Sequence, residues 1–269
     1  MSMHQTSTTL LSLLDLQAMK RRQEKISSLT AYDASFSTLI DAIGIDIILV
    51  GDSLGMVIQG QRTTLPVKLE DILYHTRCVT RSRNRSLVIA DLPFMSYCTP
   101  EQAAINAGRL LSEAEAQIVK LEGPRFEIIR FLVDQGIPVC AHLGLLPQSI
   151  NLIGEYRVTG QTTKDAERIL DQAYEVERAG ASLLLLECVP AELAKEITQQ
   201  LEIPVIGIGS GVDCDGQVLV LYDMLDITHG KKPRFTKNFL LETNSIAEAI
   251  MLYHQSVKNA TFPAPEHSY

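Results

Sequence analysis

Acidic side chains stand at the carboxyl ends of three successive apolar segments of the chain. DIILVGDS ends with Asp52 and Ser53, SLVIADLPF carries Asp91, and QIVKLEG carries Lys120 and Glu122. Apolar runs of this length, rich in β-branched residues, are typical of buried strands. One acid at a strand end is often a turn residue, but acids at the ends of three consecutive strands predict one shared site.

A shared site of three carboxylates needs positive charge. In a partly buried mouth the acids would repel one another, and their pKa values would rise unless a cation compensated them. Oxygen ligands select a hard ion, and a site with open positions for water and substrate suits Mg²⁺ better than Ca²⁺. The acids therefore predict a bound Mg²⁺. The alternative is that each acid caps the following helix or pairs with a nearby Lys or Arg.

Two further polar residues end apolar runs later in the chain. Glu187 follows four leucines in LLLLECVP, where poor solvation would raise its pKa and make it a competent proton acceptor. His142 stands at the end of the strand-like segment PVCAHLGL. The alternatives are a helix-capping role for Glu187 and a core position for His142, with its ring hydrogen-bonded to a carbonyl.

The elements that would position these residues alternate between strands and helices along the whole chain. The strands are apolar enough to be buried on both faces, which indicates a parallel sheet covered by helices. Eight such units predict a (β/α)8 TIM barrel, with LLSLLDLQAMKRRQ as an N-terminal helix that closes the barrel floor. An open dinucleotide-binding sheet is disfavoured, because TAYDASFS carries no glycine fingerprint. QVLVLYDML could be the eighth strand or the start of a helix.

Strand alternation predicts which side chains enter the barrel. Lys120 and Glu122 share one face of their strand, and we expect that face to point inward. The same rule groups Asp52 with Ile48 and Val50. Active sites of such barrels lie at the carboxyl ends of the strands, where all of these polar residues fall. The long segment GMVIQGQRTTLPVKL, with no helical period, is predicted to be a lid.

The composition and net charge of the chain disfavour several classes of partner and site. The chain has 269 residues, 46% of them hydrophobic, so we expect one domain over residues 1–269, with frayed ends at about 1–8 and 258–269. A net charge of −8 with scattered Lys and Arg disfavours nucleic acid and anionic membrane partners. The chain has five cysteines and no CxxC pair, which disfavours a disulfide framework and a zinc site. The N-terminal segment LLSLLDL is too short and too charged to be an export signal or a membrane span. Buried thiols and a cytoplasmic location are expected.

Eight segments, taken in order, resemble the ketopantoate hydroxymethyltransferase family over residues 25–240. They are TAYDASFS, DIILVGDSLGMVIQG, TTLPVKLEDILYHTRCV, VIADLPFMSY, VKLEG, PVCAHLGLLPQS, LLLLECVP and PVIGIGSG with CDGQVLV. The resemblance implies a (β/α)8 barrel, one Mg²⁺ per subunit, 3-methyl-2-oxobutanoate as the keto acid, and 5,10-methylenetetrahydrofolate as one-carbon donor. It also implies a homo-oligomer, typically a decamer.

The resemblance implies a role for each polar residue. Position by position, the metal ligands would be Asp52, Asp91 and Glu122. The residues that bind the keto acid would be Asp52, Ser53, Asp91 and Lys120. The catalytic residues would be Glu187 as proton acceptor, Lys120 as a compensating charge, and His142.

Two alternatives from other classes remain at this point. One is a Mg²⁺-dependent lyase or mutase of the phosphoenolpyruvate mutase and isocitrate lyase type, against which the absence of a KKCGH-type loop counts. The other is a non-catalytic barrel that serves in binding or assembly.

Overall fold

Eight parallel strands form a closed barrel in which each strand pairs with its neighbour in chain order and the last pairs with the first. The computed structural model describes residues 9–228 and 232–269. The strands are β1 (Ile26–Thr30), β2 (Ile47–Val50), β3 (Leu87–Asp91), β4 (Ile118–Glu122), β5 (Val139–Gly144), β6 (Leu183–Glu187), β7 (Val205–Ile208) and β8 (Gly216–Leu219). Apart from Gly144 and Glu187, every strand residue is buried. The predicted (β/α)8 barrel is confirmed.

Helices connect the strands and cover the barrel. They are α1 (Leu13–Arg21), α2 (Ala34–Ile43), α3 (Leu54–Val57), α4 (Leu69–Thr80), α5 (Pro100–Ser112), α6 (Phe126–Asp134), α7 (Ile150–Ile153), α8 (Thr163–Arg178), α9 (Ala191–Gln200), α10 (Leu221–Met224) and α11 (Ile246–Lys258). Short 3₁₀ turns lie at Pro147–Ser149, Phe239–Glu242 and Pro265–His267. Within the described ranges, none of the helices has the length and hydrophobicity that a membrane span requires.

The N-terminal helix α1 packs at the amino end of the barrel. Leu16 and Met19 are its buried residues, and Ser12 caps its first turn. Lys20 Nζ lies 2.6 Å from Asp215 Oδ2, just before β8, and the carbonyl of Leu11 accepts a hydrogen bond from the Gln117 side chain, just before β4. These contacts place α1 at the barrel floor, as predicted.

The segment QVLVLYDML forms both a strand and a helical turn, the two structures between which the sequence did not decide. Gly216–Leu219 forms β8, and Leu221–Met224 forms the single turn α10. The predicted lid is likewise partly helical, because α3 occupies its first residues.

The expected fraying of residues 258–269 is wrong. Phe262 is buried, and its ring packs edge-on against Phe239 and Tyr253. The backbone N–H of Ala191 donates to the carbonyl of Tyr269 at 2.8 Å. Aromatic burial outweighs the disorder expected from two prolines near a chain end. Residues 1–8, the other end expected to fray, lie outside the described residues.

The five cysteines form no disulfide. Cys140, Cys188 and Cys214 are buried as expected, whereas Cys98 is exposed and Cys78 is partly exposed. The expectation of buried thiols therefore holds for three of the five positions.

Gly144, the last residue of β5, touches the neighbouring strand closely. Its φ is 95°, and a Cβ there would lie 2.2 Å from the carbonyl oxygen of Glu187. Gly136 has a similar φ of 78°, but a Cβ at that position meets nothing within 4 Å. The two glycines therefore share a backbone requirement and differ in the space available.

We expect Gly144→Ala to lower the free energy of unfolding by about 1–3 kcal/mol more than Gly136→Ala. Both changes force alanine into the left-handed region, at a cost of about 1–2 kcal/mol, and only Gly144→Ala adds a clash with backbone. Urea denaturation of the two variants measures the difference. Equal destabilisation would show that the β5–β6 edge relaxes to admit a methyl group.

Candidate active site

A cavity of about 640 Å³ opens at the carboxyl ends of the strands. Its volume lies in the range of small-molecule sites. The structure brings all seven of the polar residues singled out in the sequence to this cavity: Asp52, Ser53, Asp91, Lys120, Glu122, His142 and Glu187. The strand register explains part of this arrangement, since Asp91 lies beside Lys120 on β4, Glu122 beside His142 on β5, and Gly144 beside Glu187 on β6.

A buried ion pair lies at the base of the site. Lys120 Nζ donates to Asp91 Oδ1 at 2.6 Å, and both side chains are almost inaccessible to solvent. Burial by itself would lower the pKa of Lys120, but the charges of Asp91, Asp52 and Glu122 outweigh it and raise that pKa. The ammonium group therefore stays protonated. Asp91 Oδ2 accepts the backbone N–H of Asp52 at 2.9 Å, so both Asp91 oxygens have partners.

Asp52 and Glu122 are held in a setting that disfavours their charged forms. Burial and the neighbouring charge of Asp91 raise the pKa of Asp52 to about 7. Burial and the charge of Asp52 raise the pKa of Glu122 well above its usual value. One oxygen of each is hydrogen-bonded, because the Gln148 side chain donates to Asp52 Oδ2 and the Gln148 backbone N–H donates to Glu122 Oε2.

His142 lies between two of the acids. Its Nδ1 is 3.7 Å from Glu122 Oε1, and its Nε2 is 3.3 Å from Glu187 Oε2. Burial lowers the pKa of His142, although Glu187 opposes that shift, so the ring is neutral at neutral pH. A neutral imidazole carries one N–H and can donate to only one of the two carboxylates.

Glu187 is less buried than its four preceding leucines suggested. Its side chain is 16% exposed, compared with 3% for Glu122 and 2% for Asp91. The residue ends β6 at the rim of the cavity, where water and a ligand can both reach it. The side chain is therefore mostly shielded from solvent but less so than the other acids, and it stands at the strand end where the sequence placed it.

Asp52 reaches the site by a different route from the one strand alternation predicts. Leu49 and Gly51 line the cavity, whereas Ile48 and Val50 lie on the other face and do not. Asp52 shares parity with that outer face, but β2 ends at Val50 and the chain then turns. The turn after the strand carries the carboxylate into the cavity.

Ser53 follows Asp52 in the same turn and lines the cavity. Its hydroxyl lies 2.8 Å from the hydroxyl of Tyr32, a buried residue that follows β1. This contact holds the Ser53 side chain beside the acidic cluster.

The carboxylate oxygens of the site are of the chemical type that binds a hard cation. Glu122 Oε1 is buried and has no hydrogen-bond partner among the described residues. An orphaned buried carboxylate oxygen beside a second carboxylate of raised pKa is stabilised when a cation binds. In the described part of the chain, however, no three Asp, Glu, His or Cys side chains are arranged to hold one ion between them. The prediction that Asp52, Asp91 and Glu122 ligate Mg²⁺ remains a prediction.

Sequence reasoning missed two residues of the site, Gln148 and Tyr97. Both are buried, and the Tyr97 hydroxyl donates to Gln148 Oε1. Each follows the carboxyl end of a strand, Tyr97 in the segment between β3 and α5 and Gln148 in the 3₁₀ turn after β5. Polar residues in loops at the carboxyl ends of strands were the signal that could have found them.

Comparison with known proteins places the chain in a family. The family model for ketopantoate hydroxymethyltransferase matches residues 11–265. The chain belongs to the ketopantoate hydroxymethyltransferase family.

Relatives in this family match the chain over almost its full length. It is 54% identical over 266 residues to a Shewanella loihica protein named 3-methyl-2-oxobutanoate hydroxymethyltransferase, a match that covers 98% of each chain. It is 56% identical over 261 residues to a Nitrosococcus oceani protein of the same name, a match that covers 96% of this chain and 99% of that one. The family resemblance of the eight segments is thereby confirmed.

Solved structures share the fold at low identity. Phosphoenolpyruvate phosphomutase from Streptomyces platensis aligns with a TM-score of 0.60 and 14% identity, over 79% of this chain and 82% of that one. A phosphonopyruvate hydrolase aligns with a TM-score of 0.61 and 11% identity, over 94% of this chain and 98% of that one. At such identities the likeness shows the barrel fold alone, so it does not favour a lyase or mutase over the ketopantoate hydroxymethyltransferase family.

Proposed function

We propose that the chain transfers a hydroxymethyl group from 5,10-methylenetetrahydrofolate to 3-methyl-2-oxobutanoate, giving 2-dehydropantoate and tetrahydrofolate, a step of pantothenate biosynthesis. The observation that carries this proposal is the identity of 54% and 56% to proteins named for that activity, over nearly the whole chain. The cavity supports it, since it combines acids, one buried lysine and apolar walls at the carboxyl ends of the strands.

The keto acid is bound by the residues at the base of the cavity in this proposal. Lys120 is a buried ammonium group that compensates the charge of a bound carboxylate. Ser53, held by Tyr32, offers a hydroxyl to the same ligand. Asp91 keeps Lys120 protonated and in place, and its second oxygen holds the Asp52 backbone. Asp52 and Asp91 contribute to keto acid binding through the metal ion.

Asp52, Asp91 and Glu122 hold one Mg²⁺ per subunit in the proposed complex. Mg²⁺ usually keeps several waters and takes only one or two carboxylates directly, so some of the three acids would contact it through water. The free oxygen of Glu122 and the raised pKa of Asp52 support this assignment. When bound, Mg²⁺ supplies Lewis-acid stabilisation of the negative charge that develops on the keto oxygen.

Glu187 is the proposed proton acceptor. Its carboxylate lies at the rim of the cavity, where it can take the proton from carbon 3 of the keto acid. The methylene carbon of the folate is bonded to two nitrogens, and one of these bonds breaks when the folate opens to an iminium ion. Carbon 3 then forms a bond to the methylene carbon, and water replaces the second nitrogen there, giving the hydroxyl of the product. The two folate nitrogens gain the proton that Glu187 took from carbon 3 and one proton of the water. His142, neutral and 3.3 Å from Glu187 Oε2, orients the Glu187 carboxylate.

Apolar side chains in the same cavity suit the folate. Met56, Tyr156, Phe235 and Tyr269 line it, and aromatic rings offer flat surfaces on which a pterin ring can stack. Met56 belongs to the segment predicted to be a lid, which therefore faces the ligand.

A transfer assay tests the proposed activity directly. Purified protein is incubated with 3-methyl-2-oxobutanoate, 5,10-methylenetetrahydrofolate and Mg²⁺, and 2-dehydropantoate is measured by mass spectrometry. Product that requires all three components supports the proposal. Folate-independent cleavage or rearrangement of an α-keto acid would favour the lyase or mutase alternative, and tight ligand binding without turnover would favour the non-catalytic barrel.

We further propose that the protein acts in the cytoplasm as a homo-oligomer, a decamer by family resemblance. Small-molecule keto acid and folate are its proposed ligands, and the net charge of −8 argues against nucleic acid. Light scattering coupled to size-exclusion chromatography measures the mass, and a monomer of 29.7 kDa would contradict the oligomer.

The affinity for Mg²⁺ is expected to rise with pH through about pH 7. Asp52 has a pKa of about 7, so below that pH the ion must displace a proton from its carboxyl group. This competing proton predicts roughly a tenfold loss of affinity for each pH unit below the pKa, and Glu122, whose pKa is also raised, adds a second competing proton. Calorimetry in buffers of different ionisation enthalpy measures both affinity and proton release. A flat affinity between about pH 5.5 and 8 would show that Asp52 does not compete for the ion.

A further inference from the structure

Gln148 connects two carboxylates of the cavity through two different groups. Its backbone N–H donates to Glu122 Oε2 at 2.9 Å, and its side-chain Nε2 donates to Asp52 Oδ2 at 2.8 Å. The residue is buried, with 6% of its surface exposed. Buried hydrogen bonds to carboxylates are costly to lose, so Gln148 holds the two acids at a set separation.

The orientation of the Gln148 amide follows from its other neighbours. Nε2 also donates to the carbonyl of Leu92 at 3.1 Å, and a carbonyl can only accept. The NH₂ group must therefore lie on the side of Leu92 and Asp52. On the opposite side the Tyr97 hydroxyl donates to Gln148 Oε1 and accepts the backbone N–H of Glu122 at 3.3 Å. Tyr97 thus holds the amide with its donor towards Asp52.

These contacts join the ends of four neighbouring strands. Asp52 follows β2, Tyr97 follows β3, Glu122 ends β4, and Gln148 follows β5. The hydrogen bonds occupy one oxygen of each acid. Within the described ranges, Glu122 Oε1 has no hydrogen-bond partner, and none of the hydrogen bonds found reaches Asp52 Oδ1. The network therefore fixes two carboxylates and leaves one oxygen of each for a ligand.

We propose that Gln148, oriented by Tyr97, is a positioning residue that holds Asp52 and Glu122 in place for the bound divalent ion. This inference rests on the proposed function, because it requires the ion that the proposed function places at these acids. Partners that orient the ligands of a metal site contribute about 10- to 100-fold to metal affinity.

The first test titrates the purified protein with Mn²⁺ alone. Electron paramagnetic resonance measures the concentration of free Mn²⁺ at each step. We expect Gln148→Leu to bind Mn²⁺ about 10- to 100-fold more weakly than the unsubstituted chain. Leucine has a similar size but cannot donate to Asp52. The measurement uses no substrate, so it is independent of turnover.

A second variant tests the role of Tyr97. Tyr97→Phe removes the hydroxyl that orients the amide and is expected to weaken Mn²⁺ binding less than Gln148→Leu does. Because its effect passes through Gln148, the double variant is expected to bind no more weakly than Gln148→Leu alone. Additive losses would contradict the proposed chain of contacts. If Gln148→Leu failed to fold, Tyr97→Phe with unchanged affinity would still overturn the inference.

Gln117→Leu is the matched control. Gln117 is a glutamine of the barrel floor whose side chain is likewise hydrogen-bonded at both amide atoms, accepting from the N–H of Val88 and donating to the carbonyl of Leu11. Its loss is expected to lower stability without changing Mn²⁺ affinity. If Gln148→Leu and the unsubstituted chain bind Mn²⁺ with equal affinity, the inference about Gln148 is overturned while the proposed metal site stands. Failure of the unsubstituted chain to bind Mn²⁺ overturns both the inference and the proposed metal site.

Discussion

Glu187→Ala is expected to bind 3-methyl-2-oxobutanoate with nearly unchanged affinity and to exchange the proton on carbon 3 about 10²- to 10⁴-fold more slowly. Glu187 ends β6 at the rim of the cavity, whereas the buried pair that is proposed to hold the keto acid, Asp91 and Lys120, lies on β3 and β4. Its loss should therefore remove a base rather than a binding contact. Nuclear magnetic resonance in D₂O measures the exchange, with Mg²⁺ present and folate omitted, and calorimetry measures the binding.

Two further variants serve as comparisons in this experiment. Glu187→Gln keeps the size of the side chain and removes its basicity, so it should match the alanine variant in exchange rate. Glu192→Ala removes an exposed carboxylate from the first turn of α9, five residues further on, and should exchange like the unsubstituted chain. Unchanged exchange in Glu187→Ala would remove Glu187 from the mechanism, and loss of keto acid binding would reassign it to the binding site.

Asp91→Ala is expected to lose Mg²⁺-dependent binding of the keto acid altogether. Asp91 compensates the buried ammonium group of Lys120 and also holds the backbone of Asp52. Removing one partner of a buried ion pair costs about 3–5 kcal/mol, because the other charge is left without compensation. Asp52→Ala should lose the same binding with less destabilisation, since the ion pair remains. Calorimetry with and without Mg²⁺ measures binding, and urea denaturation measures stability.

Asp46→Asn is the matched control for these variants. Asp46 is also fully buried and bonded to two cations, Arg85 at 2.8 Å and Lys258 at 2.7 Å, but it precedes β2 and lies at the amino end of the barrel. Its substitution should lower stability and leave Mg²⁺-dependent binding by the folded protein unchanged. If Asp91→Ala and Asp46→Asn weakened binding equally, the loss would be a general effect of destabilisation. Retained Mg²⁺-dependent binding in Asp91→Ala would remove Asp91 from the site.

Strand periodicity was sufficient to predict the fold and most of the site. Lys120, Glu122 and Asp91 lie within strands, where alternation alone decides which face a side chain occupies, and all three line the cavity as predicted. The barrel itself follows from eight buried strands separated by helices. These are local properties, because each depends on residues only a few positions apart.

Prediction was weaker where the chain leaves a regular element. Asp52 lies beyond the end of β2, so its place in the cavity was right, but its grouping with Ile48 and Val50, which lie on the other face, was wrong. The last residues of the chain were expected to be loose, but Phe262 packs into an aromatic cluster. Alternation holds only while the backbone stays extended, and a tail packs only if a distant surface is there to receive it.

The sequence by itself therefore determined the barrel, the strand ends at which the acids, the lysine and the histidine stand, and the family of the chain. The tertiary structure decided which groups are bonded: Asp91 to Lys120, and Gln148 to both Asp52 and Glu122. The physical reason is distance along the chain. Asp52 and Gln148 are separated by 96 positions, and only the closure of the barrel brings loops from different strands to within 3 Å of one another.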